Sequence, residues 1–340
     1  MARIPSSAKR LFSAVFFAAS FVAAVGFAPS GIQSSPVSGQ TNSSSTNEMF
    51  TISDNVNLVL LDVNVTDAKG GFVSGLKKSD FKVFEDGQPR EITQFDNEDR
   101  PVSIGLVVDN SGSMRGKKPE VVMAGLSFAH ESNPADEFFV VNFNNSVTPG
   151  LSRNVMFTGD LQELRSALFF GTPAGQTALY DAIAYSLRHL EYAHLERRAL
   201  IVVSDGGDNV SKISLPELME MIEASRATIY TVGLYEQGDL DMNPTVLRKI
   251  AAVSGGEFFE PTDLKAILPT FHKIAQDIRN SYTIGYVPNE TTDHRVIRTV
   301  KVAVKNGNRR LYAHTRTRYV TTPFSEMSAR INMRHDETHR

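Results

Sequence analysis

Cysteine is absent from the 340 residues. Disulfide staples, thiolate metal sites, a cysteine nucleophile and a lipid-bearing N-terminal cysteine are therefore excluded. Tryptophan is also absent, and nothing follows from that. Neither sign of charge dominates: 35 basic residues stand against 38 acidic ones, a formal net charge of -3. Such mild acidity argues against general nucleic-acid binding, which needs a basic face. Long apolar runs are scarce beyond the N-terminus. What is present is ordinary globular composition, 41% hydrophobic and 21% charged, in a chain long enough for one large core and a smaller companion.

The first 28 residues have the three parts of an export signal: basic Arg3, Lys9 and Arg10, an apolar run over 11–28, and small Gly26 and Ala28 before Pro29. A retained membrane anchor is the alternative, because the run approaches the length that crosses a bilayer. Interspersed Ser13, Ser20 and Gly26 and several alanines lower its hydrophobicity and favour cleavage. Cleavage leaves 32 basic against 38 acidic residues, because three of the 35 basic ones go with the leader. On either reading the remainder is exported, to the cell envelope, the periplasm or the medium. Residues 29–49 are mostly Ser, Thr, Gly, Gln, Pro and Asn, the composition of a disordered linker.

Residues 50–100 read as all-β. A β-branched stretch over 56–66 ends at the turn signal Lys69-Gly70-Gly71, and strands over 81–84 and 91–95 flank the hairpin turn 85–88. From 101 to 280 the pattern changes to continuous apolar strands alternating with helices, the signature of an α/β fold with a doubly wound, mostly parallel sheet. Strands are expected over 103–108, 138–143, 199–204 and 228–234, with a weaker one near 257–259. Helices are expected near 117–132, 160–168, 178–194, 215–226 and 244–253. A last helical stretch over 264–278 is expected to break or restart at Pro269. Residues 281–320 return to β character, and neither β block is large enough to close a core alone. They are expected to form one β-sandwich, with the α/β domain inserted between its halves. The polar tail 321–340 is expected to be disordered.

Asp109, Ser111 and Ser113 stand at alternate positions directly after the first buried strand, in a loop that leads into a helix. Asp205 follows a second buried strand at the same end. If those strands are neighbours where the strand order reverses, the two carboxylates face each other across the crevice where such sheets bind ligands. Thr177, opening a helix, brings a third loop. Oxygen donors without Cys or His describe a hard divalent cation, Mg2+ before Mn2+ or Ca2+. A helix-capping turn is the plain alternative for the first loop alone, and metal binding is favoured once Thr177 and Asp205 join it. Asp208 reads as an exposed loop residue rather than a support for the ligands. His189 and His194, five apart, cannot share one ion and read as boundary or surface residues. Gly206-Gly207 and Gly255-Gly256 do not form a nucleotide fingerprint. The basic residues Arg295, Arg298, Lys301, Lys305, Arg309, Arg310, Arg316 and Arg318 read as a solvated, charge-protected edge rather than a surface for an acidic polymer or lipid.

The set Asp109-x-Ser111-x-Ser113, Thr177 and Asp205-Gly206 resembles the metal-ion-dependent adhesion site of von Willebrand factor type A domains, over about 180 residues. The resemblance implies that Ser111, Ser113 and Thr177 ligate directly and that Asp109 and Asp205 act largely through waters. It further implies that an Asp or Glu of a protein ligand completes the octahedron, and that the last helix can slide between affinity states. Gly75-Leu76, Asp80-Phe81, Glu85-Asp86-Gly87 and Phe95, with 282–286 after the domain, are similar to a group of exported bacterial proteins related to this family and best represented in acidobacteria. The expected function is therefore metal-dependent protein binding or adhesion, with no enzymatic activity, no nucleic-acid partner, and membrane attachment only through a retained leader. Two alternatives are metal-assisted hydrolysis and an envelope assembly subunit acting through its β-sandwich.

Overall fold

The computed structural model describes residues 58–235, 242–288, 297–321 and 324–338. The expected leader and linker lie outside these. Along the chain come β1 (Val59–Asp67), β2 (Phe81–Glu85), β3 (Gln88–Arg90) and β4 (Ile92–Asp96). Then follow β5 (Val102–Asp109), α1 (Lys118–Glu131), β6 (Glu137–Phe143), β7 (Val147–Pro149), α2 (Leu161–Phe169), α3 (Leu179–His189) and β8 (Arg197–Ser204). After them come α4 (Leu215–Ala224), β9 (Thr228–Gly233), α5 (Pro244–Ser254), β10 (Phe258–Phe259) and α6 (Ile267–Arg279). The chain closes with β11 (Tyr282–Tyr286), β12 (Ile297–Val304), β13 (Leu311–His314), β14 (Arg318–Val320) and α7 (Phe324–Thr338).

The central sheet has the order β10-β9-β8-β5-β6-β7 and is parallel except where edge strand β7 turns back on β6. Every residue of β5 is buried, because both faces of the sheet are covered. Ile104, Leu106 and Val108 pack with residues of α1, α2 and α6 on one side, and Val107 packs with residues of α3, α4 and α5 on the other. Local signals set the helix ends. The Asp160 side chain accepts from the backbone N–H groups of Gln162 and Glu163, and Ser214 with Glu217 forms a capping box at α4. Pro269 does not break the last helical stretch. A short 3-10 turn over Leu264–Ala266 leads into α6, and Pro269 lies in the first turn of α6, where its missing N–H leaves no helical bond unmade.

The flanking β blocks form two four-stranded sheets, β13-β1-β11-β4 and β14-β12-β2-β3, each drawing strands from both ends of the chain. Their inner residues, including Leu61, Val63, Phe81, Val83, Ile284 and Val302, share one core, so the expected sandwich is present. The hydroxyl of Tyr282 donates to the Val73 carbonyl at 2.9 Å and accepts from the Leu76 amide at 3.1 Å, which pins the loop after β1. One pairing differs from the sequence reading. The hairpin joins β2 to the three-residue β3 through Asp86 (φ 49°) and Gly87 (φ 79°), and β4 crosses to pair with β11 in the other sheet. A two-residue turn with both φ values positive matches the twist of its strands, and Glu91 is all the chain needs to change sheets.

The sandwich joins the α/β unit at the N-terminal ends of the parallel strands. Arg197, at the start of β8, donates to Asp62 of β1 at 3.3 Å, to the Arg100 carbonyl at 3.1 Å, to the Ile278 carbonyl at 2.8 Å and to the Ser281 hydroxyl. The basic residues of the last block divide. Lys301, Lys305, Arg309 and Arg310 are exposed as expected, whereas Arg298 pairs with Asp86 at 2.9 Å, Arg318 pairs with buried Glu223 at 3.0 Å and Arg316 donates to the Ser225 carbonyl at 2.7 Å. Arg295 lies outside the described residues.

The tail corrects the expectation of disorder: Phe324–Thr338 is helical, and Met327 and Ile331 are 1% exposed within the core beside α4. Two apolar residues at i, i+4 in a polar stretch form a narrow stripe that a composition reading passes over. Ile331→Ala is expected to lower unfolding stability by about 2 kcal/mol in urea denaturation, and an unchanged midpoint would show that α7 adds nothing to the core.

Burial pushes the Asp277 carboxyl on α6 up to about 7, with nearby Glu257 adding to the rise and Lys273 opposing it. Folded Asp277 therefore keeps its proton where the unfolded chain has lost it, and its stabilising contribution fades as pH rises from about 4 to about 7. Asp277→Asn should remove that fade, leaving stability at pH 4 little changed and raising it at pH 8 by at least about 1 kcal/mol. Thermal melts at the two pH values check this, and a variant less stable at pH 8 would contradict it.

Candidate functional site

The strand order reverses between β5 and β8. From β5 the sheet grows one way through β6 and β7, and β8 then returns to the other side of β5. The register Val108↔Val203 places the two strand ends level, so Asp109 and Asp205 enter one crevice from adjacent strands. Ser111 N–H donates to Asp109 Oδ1 at 2.7 Å, and Ser204 Oγ donates to Asp109 Oδ2 at 2.6 Å. Ser113 Oγ donates to Asp205 Oδ2 at 2.6 Å, and the Ser111 and Ser113 hydroxyls lie 3.0 Å apart. Either serine can be the donor in the second contact, so Ser111, Ser113 and Asp205 form one connected set. Gly207 N–H donates to Asp205 Oδ1 at 3.1 Å.

Thr177 joins through its backbone. Its N–H donates to Asn209 Oδ1 at 2.9 Å and its carbonyl accepts from Asn209 N at 3.0 Å, tying its loop to the one that carries Asp205. On the other side Gly112 N–H donates to the Gly175 carbonyl at 3.1 Å, tying it to the serine loop. The structure thus gathers the three loops, with Asp109, Ser111, Thr177 and Asp205 all buried and Ser113 half-buried.

Burial pushes the Asp109 carboxyl up to about 6, against the hydrogen bonds from Ser204 and Ser111, and the charge of Asp205 adds to the rise. Two carboxylates side by side, reached by hydroxyl and amide donors, have the chemistry of a hard-cation site. Among the described residues no three His, Asp or Glu side chains cluster as a metal cage. A cation here would therefore draw on the mixed carboxylate and hydroxyl oxygens of Asp109, Ser111, Ser113, Thr177 and Asp205.

Sequence reading missed Ser204 and Asn209, which hold Asp109 and Thr177 in place. Ser204 is the last residue of β8 and reads as strand, and a loop asparagine carries no signal until its partner is known. Asp208 is neither exposed nor directed to the other carboxylates: half-buried, its Oδ1 accepts from Tyr180 N at 3.1 Å in the first turn of α3. His194 is exposed and pairs with Glu137 at 2.9 Å, while His189 is half-buried and stacks on Phe139 at 4.3 Å.

The von Willebrand factor type A domain family profile matches residues 104–207, which span β5 to the loop after β8 and carry all five site residues. The α/β unit has that fold. Solved structures similar to the chain include a von Willebrand factor type A protein from Catenulispora acidiphila, at 16% identity and TM-score 0.48 over 81% of this chain and 77% of that one. They include the vWF domain of a type V pilus tip protein from Porphyromonas gingivalis, at 16% identity and TM-score 0.42 over 57% of this chain and 99% of that one. An aerotolerance-related membrane protein from Bacteroides fragilis is similar at 15% identity and TM-score 0.42, over 52% of this chain and 98% of that one. No curated protein matches the chain.

Gly175 holds the Thr177 loop in a conformation that favours glycine (φ 83°), and a Cβ there would lie 1.9 Å from Asn145 Oδ1. That oxygen accepts the Gln176 N–H at 3.0 Å. Gly175→Ala should therefore strain the loop and displace Asn145, at a cost of about 1–3 kcal/mol in chemical denaturation; an unchanged midpoint would mean the loop relaxes freely.

Proposed function

We propose that this chain is an exported protein-binding or adhesion module that captures an acidic side chain of a partner protein through a divalent cation, Mg2+ foremost, in the crevice between β5 and β8. The observation that carries the reading is the continuous set of Asp109, Ser111, Ser113 and Asp205 oxygens, with the Thr177 loop bonded to both flanking loops. Bound there, the cation would supply an electrophilic position for a partner's carboxylate. The hydroxyls of Ser111, Ser113 and Thr177 would face it as neutral donors, while Asp109 and Asp205 would balance its charge. Two protein carboxylates match a divalent ion without surplus, so an incoming Asp or Glu meets no excess negative charge.

Export rests on the leader-like residues 1–28. Among the described residues no helix is long and apolar enough to cross a membrane. The joint with the sandwich occupies the opposite end of the parallel strands, so the crevice end of the domain is not used to hold the sandwich.

The test is calorimetric titration of the full chain with Mg2+, Mn2+ and Ca2+, paired with capture of proteins from an envelope or culture-supernatant extract in Mg2+ or in EDTA. Asp109→Ala and Asp205→Ala should weaken ion binding by at least about 10–100-fold and abolish metal-dependent capture, while thermal unfolding stays cooperative. Capture that persists in EDTA and in both variants would overturn the reading and move the function to the sandwich surface.

A further inference from the structure

The C-terminal half of α3 and the loop between β7 and α2 line a second cavity, of about 470 Å3, away from the crevice. Its walls include Leu151 and Val155 from the loop and Tyr185, Arg188, His189 and Tyr192 from α3 and the turn after it. The four residues on the helical side stand at i, i+3, i+4 and i+7, so they form one stripe flanking the face that α3 buries in the core. The volume falls in the range of small-ligand sites.

Within this cavity Arg188 is anomalous. Its Nη1 is fully occluded and meets no hydrogen-bond partner among the described residues. A guanidinium carries five N–H donors in a planar fork suited to a carboxylate, and leaving one desolvated and unmade is costly. Asp181, the acidic residue whose charge acts on Arg188, already accepts from the backbone N–H groups of Lys212 and Ile213 at 3.0 and 3.1 Å. Burial also holds Arg188 below the usual arginine range, as expected of a cation that lacks a close partner.

The remaining wall is mostly apolar or aromatic, with Ser152 and Arg153 as polar exceptions. His189 Nε2 donates to the Met156 carbonyl at 2.8 Å while the ring stacks on Phe139 at 4.3 Å, and burial lowers its pKa, so it stands neutral at pH 7. Tyr192 is 67% exposed at the mouth, and Arg153 adds a second positive charge with no carboxylate on the cavity lining. A mostly apolar cavity with Arg188 on its wall and Arg153 beside it suits a ligand with an apolar body and one anionic end.

We propose that this cavity binds a monocarboxylate with an aromatic or aliphatic body, its carboxylate on Arg188 and its body against Leu151, Val155, Tyr185 and Tyr192. The same chemistry is offered by a free arylalkanoic acid and by the C-terminal residue of a peptide. The site is separate from the cation crevice and does not depend on it.

The test uses the full chain in EDTA, observed by NMR titration. The probes are 3-phenylpropionate and its amide, and the tripeptide Gly-Gly-Phe with a free or an amidated C-terminus. The free acids should bind at least about tenfold more tightly than their amides, with Arg188→Gln abolishing that preference and Tyr192→Ala weakening both forms. Binding of both acids assigns the site to the small carboxylate, and binding of the peptide alone assigns it to a chain terminus. Arg188→Gln should melt no lower than the wild type, because it removes an unpaired desolvated charge, whereas a purely structural role for Arg188 predicts a loss of stability. No binding of either acid, equal binding of acid and amide by the wild type, or a preference that survives in Arg188→Gln would overturn the proposal.

Discussion

Parallel pairing of β5 with β8 is the constraint on which the rest of the structure depends. The two strands are separated by about ninety residues, within which α1, β6, β7, α2 and α3 must be laid down before β8 can return to the vacant side of β5. That return produces the reversal of strand order and sets the two strand ends level. Asp109 and Asp205 are neighbours for this reason alone. The loops carrying Ser111, Ser113 and Thr177 only have to be short and braced, and backbone bonds such as Gly112 to Gly175 and Asn209 to Thr177 do the bracing.

The sandwich depends on the same event. β1 pairs with β11 in the register Val59↔Tyr286 to Val63↔Tyr282, so its first sheet joins segments from the two ends of the α/β unit. Loop closure over such a length is entropically unfavourable for an unstructured insertion. A folded insertion whose ends emerge side by side removes most of that cost. Arg197 marks the junction, because one guanidinium bonds to β1, to the approach to β5, to the end of α6 and to the start of β11.

The parallel strands were legible because burial on both faces makes them continuous apolar runs, and the predicted helices agree with the observed ones to within a few residues apart from the early end of α3 at His189. The five candidate residues stand out in the sequence because each lies at or just past the end of a strand or just before a helix, and the structure brings their loops together. Other features lacked a local signal. The split of β3 from β4 at Glu91 depends on which sheet each strand joins, a tertiary fact. The pairing of Arg318 with Glu223 converts an apparent surface charge into a contact with α4. α7 is held by Met327 and Ile331, too narrow a stripe to outweigh its polar neighbours. Arg188 carries no signal in the sequence, since its place beside the loop 151–156 is a tertiary fact.

The two ends of the β5 and β8 strands show opposite solutions to one electrostatic problem. At the N-terminal end, the Asp62 carboxylate is met by Arg197, whose other donors are taken up by carbonyls and a hydroxyl, so charge is neutralised within the chain. At the C-terminal end, roughly 25 Å away at about 3.3 Å per residue, hydroxyl and amide donors reach the Asp109 and Asp205 carboxylates. Neutral donors orient a carboxylate without cancelling its charge, and burial makes the residual charge costly. An arginine at the crevice would have removed that cost, as it does at the joint. With Ser111, Ser113 and Ser204 there instead, the two carboxylates keep their negative charge, which is the feature on which the proposed divalent cation rests.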